Sequence, residues 1–147
     1  MTANLVRPPR AAQGIAHEGS TPFQKSLGLL ISSTDDGVAV EMDIRDDLRG
    51  PAGSLEGGVV STIIDVAAGA SAIGPLETLV ATADMTIHFL APGKVGPIRA
   101  TGHVLRARNG MAVVEVRVTD VGKDDRLCAT ALVTMRALGG SADVGRL

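Results

Sequence analysis

Aromatic residues are nearly missing from this chain, which has no tryptophan, no tyrosine and only Phe23 and Phe89. Stacking of bases on aromatic side chains is therefore excluded as a mode of binding. The formal net charge of -2 provides no basic surface for a nucleic-acid backbone either. We expect no nucleic acid among its partners.

Cysteine and histidine are also scarce. Cys128 is the one cysteine in 147 residues, which excludes a disulfide framework within the chain and is typical of a reducing, cytoplasmic compartment. His17, His88 and His103 are too far apart in sequence to indicate a zinc site, so no metal is expected. The apolar runs are judged too short for a membrane span and the N-terminus has no signal-peptide core, so no membrane partner is expected.

The main apolar stretch runs from Gly53 to Gly74. Gly57-Gly58 precede sixteen residues without proline, in which Asp65 is the only charged residue. This composition predicts a helix that is apolar nearly all round and therefore buried. Ser61 and Gly69 lie four residues to either side of Asp65, so the three share one face.

A lone carboxylate in a buried helix needs a reason, because burying it unpaired is costly. Asp65 lies in the third turn, too late for an N-cap. It can pair with an arginine, cap a neighbouring loop or act on a substrate. The free N–H groups at the helix N-terminus, Gly57-Gly58, can hold a developing negative oxygen, so the functional interpretation competes with the structural ones.

Alternating apolar and polar residues predict strands on both sides of this helix. A short helix from Thr21 to Ser26 and two strands are expected before it, and four strands after it, at residues 80–90, 97–107, 111–121 and 126–137, with an Asn-Gly hairpin at 109–110. One helix across a curved antiparallel sheet is an α+β layout. Its free edges and uncovered face predict a homo-oligomer.

One domain accounts for the length of the chain. Residues 1–20 mix proline, glycine and arginine without periodicity and are interpreted as a flexible N-terminal arm. The domain is expected at residues 21–138, followed by a C-terminal tail at 139–147.

Two segments carry a resemblance to a known family: G-S-L-E-G-G-V-V-S-T-I-I-D-V-A-A-G from Gly53, and T-A-D-M-T-I-H-F-L-A-P-G-K-V-G-P-I from Thr82. They resemble the hotdog-fold acyl-CoA thioesterases of the phenylacetate-degradation and hydroxybenzoyl-CoA type. The resemblance covers about residues 22–138. It implies a curved antiparallel sheet wrapped around one long central helix. It also implies hydrolysis of an acyl-CoA, or a related acyl thioester, to the free acid and CoA, with no cofactor beyond that substrate.

The family typically has His-Gly-Gly followed, nine positions after the His, by an Asp or Glu in the central helix. Glu56, Gly57, Gly58 and Asp65 keep this spacing, with Glu56 in place of the His. Gly50 stands where an Asn or Gln usually lies. The resemblance implies that Gly57 donates its N–H to the thioester oxygen and that Asp65 is either nucleophile or general base.

Further candidates complete the site. Ser61 is a candidate for positioning water, and Gly58, Arg106 and Arg108 are candidates for binding the CoA thioester, the two arginines through its phosphates. Two alternatives stay open: a non-catalytic acyl-CoA-binding or sensing protein, favoured by the replaced His and Asn or Gln, and a hotdog hydratase or dehydratase. The latter requires a histidine near its acid, and the motif has none.

The distance between Gly57 and Asp65 along the helix requires a site made by two chains. Gly57 and Asp65 are eight residues apart, roughly 12 Å along a helix axis. An oxyanion donor and a catalytic carboxylate must both lie within about 3 Å of the reacting group. One helix cannot supply both, whereas two antiparallel helices can. We therefore expect a dimer, or a dimer of dimers, in which Gly57 of one chain faces the partner's Asp65.

Overall fold

The computed structural model describes residues 17–35 and 37–139. The helices and strands are, in chain order, β1 (His17–Glu18), α1 (Pro22–Ser26), β2 (Leu30–Thr34), β3 (Gly37–Met42), α2 (Gly57–Leu76), β4 (Val80–Phe89), β5 (Ile98–Arg108), β6 (Met111–Asp120) and β7 (Arg126–Ala137). Two short 3-10 turns, Asp46–Leu48 and Val121–Lys123, lie before α2 and before β7.

The strands form one seven-stranded sheet in the order β1-β2-β3-β5-β6-β7-β4. Every pairing is antiparallel. α2 lies across the sheet, and its buried side chains, among them Ile63, Ile64 and Ala67, join the inward-facing residues of the strands in one core. This arrangement is the hotdog fold, so the predicted fold is confirmed.

The turn between β5 and β6 follows directly from its residues. Asn109 has φ 54° and Gly110 has φ 72°. Two consecutive positive φ values define the type I′ hairpin turn that Asn-Gly favours, because asparagine and glycine tolerate this region best. The predicted hairpin is confirmed.

α2 lies unusually close to β5. A Cβ atom at Gly102 would lie 2.4 Å from Ser71 Oγ and 2.9 Å from the carbonyl oxygen of Ala67. Both contacts are far shorter than packed side chains permit. The absence of a side chain at Gly102 therefore lets the helix pack directly against the middle of the sheet.

The expectation that α2 is buried all round is wrong for the single chain. Its buried residues share the side that faces the sheet, whereas Gly58, Ile73 and Gly74 are exposed and Asp65 is half-buried. The adjacent edge strand β4 is open as well, with eight of its ten residues exposed. The apolar composition of α2 thus exceeds what one chain buries, as expected for a helix that also contacts a partner.

The expectation that no segment is long enough to span a membrane also needs correction. α2 has 20 residues and an apolar composition sufficient for a span. Its position explains this composition, because α2 is the core helix of the fold and packs on the sheet.

The described part of the sheet extends into the expected N-terminal arm. His17 and Glu18, placed in the N-terminal arm by the sequence, pair with Ile31 and Leu30 of β2. The rest of that arm up to residue 16, and residues 140–147 of the predicted tail, lie outside the described residues.

Candidate active site

The N-terminus of α2 is held by backbone hydrogen bonds on both sides. The N–H of Leu55 donates to the carbonyl of Gly93 at 2.8 Å, and the N–H of Glu56 donates to the carbonyl of Leu48 at 3.0 Å. Glu56 is the N-cap residue, with φ −66° and ψ 139°, and its exposed side chain makes no capping bond. The first amide of the helix, at Gly57, donates to no other described residue, as the geometry of helix termini allows.

A cavity of about 340 Å³ opens beside this amide. Gly57 and Val60 of α2 form one wall, the segment from Phe89 to Gly93 forms another, and Ile98, Val118 and Cys128 lie on the strands. The ring of Phe89 lies next to Gly57, with its nearest atoms 3.6 Å from where a Cβ of Gly57 would be. Gly57, whose N–H group has no partner among the described residues, therefore lines the cavity next to Phe89.

The loop after β4, which forms part of this wall, is anchored by a buried carboxylate. Asp120 is fully buried and accepts hydrogen bonds from the N–H groups of Lys94 at 2.8 Å, Val95 at 3.0 Å and Gly96 at 2.7 Å. Burial alone raises the pKa of Asp120, but these three N–H groups and the charge of Arg126 outweigh it, so the pKa lies below its usual value.

Two arginines hold the same loop from other directions. A guanidinium N–H of Arg49 donates to the carbonyl of Lys94 at 3.2 Å and to that of Gly53 at 2.8 Å. The guanidinium of Arg126 donates to the carbonyl of Pro92. The cavity wall is thus a rigid loop, fixed by Asp120, Arg49 and Arg126 together.

Asp65 accepts a hydrogen bond from the hydroxyl of Thr82 on β4. This hydroxyl also lies 3.6 Å from the sulfur of Met135. Among the ion pairs of the described residues, none involves Asp65, so the interpretation in which it pairs with an arginine finds no support. Thr82 holds one carboxylate oxygen on the open side of α2, and the second oxygen has no described partner.

Ser61 and Gly58 lie on the same helix between these groups. The hydroxyl of Ser61 donates to the carbonyl of Gly57 at 2.8 Å, the usual hydrogen bond of a serine within a helix. Its oxygen can still accept a hydrogen bond from a water molecule. Gly58 is exposed, and nothing lies within 4 Å of where its Cβ would be.

Within one chain, the structure does not bring all the predicted site residues together. Gly57 lies beside the end of β4 at Phe89, and Asp65 lies beside its start at Thr82. Arg106 and Arg108 are exposed near the β5–β6 hairpin, at the end of the sheet opposite the cavity. The described part of the chain contains no cluster of three His, Cys, Asp or Glu residues suited to a metal ion.

A family model described as the thioesterase superfamily matches residues 52–129, more than half of the chain. The chain belongs to the thioesterase superfamily. The matched segment contains Gly57, Asp65 and the loop that forms the cavity wall.

Two individual relatives have names that agree with membership of the thioesterase superfamily. A 1,4-dihydroxy-2-naphthoyl-CoA hydrolase of Listeria monocytogenes is 27% identical over 101 residues, which cover 67% of the chain and 82% of that protein. A Saccharolobus solfataricus protein named as a candidate esterase is 29% identical over 127 residues, covering 85% and 89%. These names support thioester hydrolysis as the general activity of the chain.

A solved structure supports the fold independently. The E. coli PaaI protein from the phenylacetic acid degradation operon superposes on the chain with a TM-score of 0.75, covering 82% of this chain and 87% of that one. At 23% sequence identity this similarity establishes the hotdog fold and nothing finer.

Sequence reasoning missed two residues that shape this thioesterase-superfamily site, Thr82 and Asp120. For Asp120 a signal existed, because Ala112, Val114, Val116 and Val118 alternate inward along β6 and Asp120 continues the series. An acid at an inward position of a strand indicates a buried anchor. For Thr82 the simple alternation of β4 gives the wrong face, because the ladder with β7 shifts register between Thr82 and Asp84.

Proposed function

We propose that the chain hydrolyses an acyl-CoA to the free acid and CoA at a site shared by two subunits, with Gly57 from one and Asp65 from the other. The main support is that both groups are available. The N–H of Gly57 has no partner among the described residues, and Asp65 faces the open side of α2 with no basic residue bound to it.

The free edge of β4 supports the shared site. If two copies of β4 pair antiparallel about a two-fold axis, the start of one strand lies beside the end of the other. Asp65 is bonded to Thr82 near the start, and Gly57 lies against Phe89 at the end. This pairing therefore moves Asp65 toward the partner subunit's Gly57, and each dimer has two such sites.

The chemistry follows from these two groups. The thioester oxygen accepts a hydrogen bond from the Gly57 N–H, which then stabilises the negative oxygen of the tetrahedral intermediate. As a general base, Asp65 removes a proton from water while the water oxygen attacks the carbonyl carbon. The C–S bond breaks, the CoA thiolate leaves and takes up a proton, and the free acid remains. As a nucleophile, Asp65 instead forms an anhydride with the acyl group, which water then hydrolyses.

The rate expected of this site is modest. Glu56 and Gly50 replace the side chains that polarise the carbonyl or position water in similar thioesterases, and Gly50 instead accepts and donates backbone bonds within the turn before α2. A lost oxyanion-type donor costs about 10²–10³ in rate, whereas a positioned base contributes about 10²–10⁴. A slow hydrolase is the result. The same replacements favour the second candidate, a protein that binds acyl-CoA without turning it over.

Other residues have secondary roles in this proposal. Ser61 accepts a hydrogen bond from the attacking water, and Gly58 adds a second N–H at the helix N-terminus. Arg106 and Arg108 bind CoA phosphates through the charges they expose near the hairpin. Because the single cysteine is a free, buried thiol, we assign the protein to the cytoplasm.

Thiol release from acyl-CoAs tests the proposal. Asp65→Asn is expected to lower kcat by about 10²–10⁴ with little change in stability. Asp84→Asn, which removes an exposed carboxylate on the other face of β4, is the matched control and should retain wild-type turnover. Binding of acyl-CoA without turnover by the wild type would establish the second candidate. Equal turnover by wild type and Asp65→Asn would overturn the role of Asp65.

A further inference from the structure

The side chains that line the cavity beside Gly57 are almost all apolar. Of its twelve lining residues, only Ser54 and Cys128 have a polar atom in the side chain. The floor is made by Ile98, Val118 and Cys128, which are at most 3% exposed, whereas Phe89 at the mouth is 58% exposed. The side chains that an occupant meets are therefore nearly all hydrocarbon, and the polar part of the lining comes mainly from the backbone.

The polar backbone groups around the cavity are largely taken up by the protein. The N–H groups of Leu90 and Ala91 both donate to the carbonyl of Cys128, at 2.8 and 3.1 Å, and the carbonyl of Gly93 accepts from Leu55. The thiol of Cys128 donates to the carbonyl of Arg126 at 3.4 Å. An occupant's hydroxyl or charged group would thus lose its hydrogen bonds to water and regain few.

The volume limits how much of the occupant the cavity can bury. An apolar cavity of about 150 Å³ holds one benzene molecule, which has six carbons. A cavity of about 340 Å³ is roughly twice as large, so on this scale it has room for about twelve carbons.

We propose that this cavity holds the acyl group, and that the acyl group is an unsubstituted hydrocarbon of up to about twelve carbons. This inference depends on the hydrolysis proposed above, with the thioester carbonyl at the Gly57 N–H and the chain running from Phe89 at the mouth toward Val118 and Cys128. Burial of the hydrocarbon against the lining provides the binding free energy. A hydroxyl group on the acyl chain makes the binding free energy less favourable.

Matched thioesters test the inference on the wild-type protein. Across saturated acyl-CoAs from butanoyl to hexadecanoyl, kcat/KM should rise with length and fall beyond about twelve carbons. 8-Hydroxyoctanoyl-CoA should react more slowly than octanoyl-CoA by about 10–100-fold, the range in which an apolar pocket rejects an added hydroxyl. Equal rates for this pair, or undiminished hydrolysis of hexadecanoyl-CoA, would overturn the inference while leaving the hydrolysis itself intact.

A substitution at the floor of the cavity tests whether the acyl group lies there. Cys128→Leu enlarges a side chain of the floor and should shift the preferred acyl length downward. Thr130→Leu is the control and should leave the preference unchanged, because Thr130 pairs with His88 on the outer face. Cys128 lies where the ladder between β6 and β7 shifts register, so it lines the cavity although it is only two residues from Thr130. Unchanged length preference in a folded Cys128→Leu protein would place the acyl group elsewhere.

Binding separates the two proposals. If the wild type cleaves no thioester, calorimetric titration with octanoyl-CoA and with 8-hydroxyoctanoyl-CoA still measures the preference of the cavity. Tighter binding of octanoyl-CoA in that case supports the apolar acyl site although hydrolysis is refuted. Equal or tighter binding of the hydroxylated compound contradicts the inference.

Discussion

Thr82 on the edge strand β4 donates its hydroxyl hydrogen to the carboxylate of Asp65 on α2. We expect Thr82→Val to lower kcat by about 10–100-fold, because a hydrogen bond to a charged group contributes about 1.5–3 kcal/mol. KM should stay near its wild-type value, since Thr82 positions Asp65 and does not line the acyl cavity. Steady-state thiol release from octanoyl-CoA measures both constants.

Two further variants separate positioning from a general effect on folding. Thr82→Ser keeps the hydroxyl and should restore most of the wild-type kcat. Thr86→Val changes the same residue type on the outer face of β4 and should have no effect on kcat. A Thr82→Val protein with wild-type kcat would show that Asp65 needs no support from Thr82.

The orientation of Thr82 could not be predicted from the alternation of apolar and polar residues. Strict alternation along β4 puts Thr82 on the outer face with Asp84 and Thr86. The ladder with β7 shifts register between Thr82 and Asp84, so Thr82 pairs with the buried Met135 and faces α2. A bulge of one residue reverses the face of everything before it, and no local signal in the sequence marks it.

Features with local causes were predicted well. The Asn109-Gly110 turn, the end of α1 at Ser26 and the bounds of β7 at Arg126 and Ala137 depend on neighbouring residues and were placed correctly. The exposed side of α2 was not foreseen, because composition shows that a helix is apolar and not how much of its surface one chain covers. The three backbone hydrogen bonds to Asp120 could not be predicted from the sequence. They depend on which loop lies against the end of β6, and the strand order decides this.

The close contact between α2 and β5 predicts a stability effect. Gly102→Ala places a methyl group 2.4 Å from Ser71 Oγ and 2.9 Å from the carbonyl of Ala67. We expect a loss of about 1–3 kcal/mol, because the helix must move away from the sheet. Gly74→Ala is the matched control: nothing lies within 4 Å of its Cβ position, and replacing glycine in a helix should add about 0.5–1 kcal/mol. Urea unfolding followed by far-UV circular dichroism measures both.

The exposed apolar side of α2 predicts the oligomer contact. Ile73 is 41% exposed on α2. It lies one turn after Gly69, whose Cβ position is 3.9 Å from the side chain of Val80 on the open strand β4. Ile73→Glu should convert dimers to monomers, because a charge buried without a partner costs several kcal/mol, and activity should disappear with the dimer. Leu132→Glu, at an exposed site on the outer face, should retain the dimer. Light scattering after gel filtration gives the mass. Active Ile73→Glu monomers would contradict a shared site.

Asp120 predicts a dependence of stability on pH. Because its pKa is lowered in the folded chain, its contribution is present above the unfolded value of about 3.9 and is lost as the pH falls through the lower folded value. Asp120→Asn should lose about 3 kcal/mol or more at pH 7, since one amide oxygen cannot accept all three N–H groups and the amide NH₂ opposes them. The difference from wild type should shrink on acidification below about pH 4.

Urea unfolding by circular dichroism at pH 7 and at more acidic values measures this difference. Asp43→Asn, at an exposed position after β3, is the control and should track the wild type across the range. A difference between wild type and Asp120→Asn that stays constant with pH would mean that the contacts of Asp120 do not depend on its charge.

Gly57 offers a way to remove one half of the proposed site without unfolding the helix. Gly57 is the first residue of α2, and Glu56 before it has φ −66° and ψ 139°. Proline is well tolerated at this helix position and after an extended residue. Gly57→Pro therefore deletes the N–H group while α2 still begins there. We expect Gly57→Pro alone to lose about 10²–10³ in kcat.

Mixing Gly57→Pro chains with Asp65→Asn chains tests whether the site spans two subunits. In a mixed dimer, one site combines both defects, and the other combines an intact Gly57 with the partner subunit's Asp65. Random association after co-refolding should therefore restore about a quarter of the wild-type activity, because half of the dimers are mixed and each has one intact site. A site made by one chain could not recover in this way, so a mixture as inactive as its components would contradict the shared geometry.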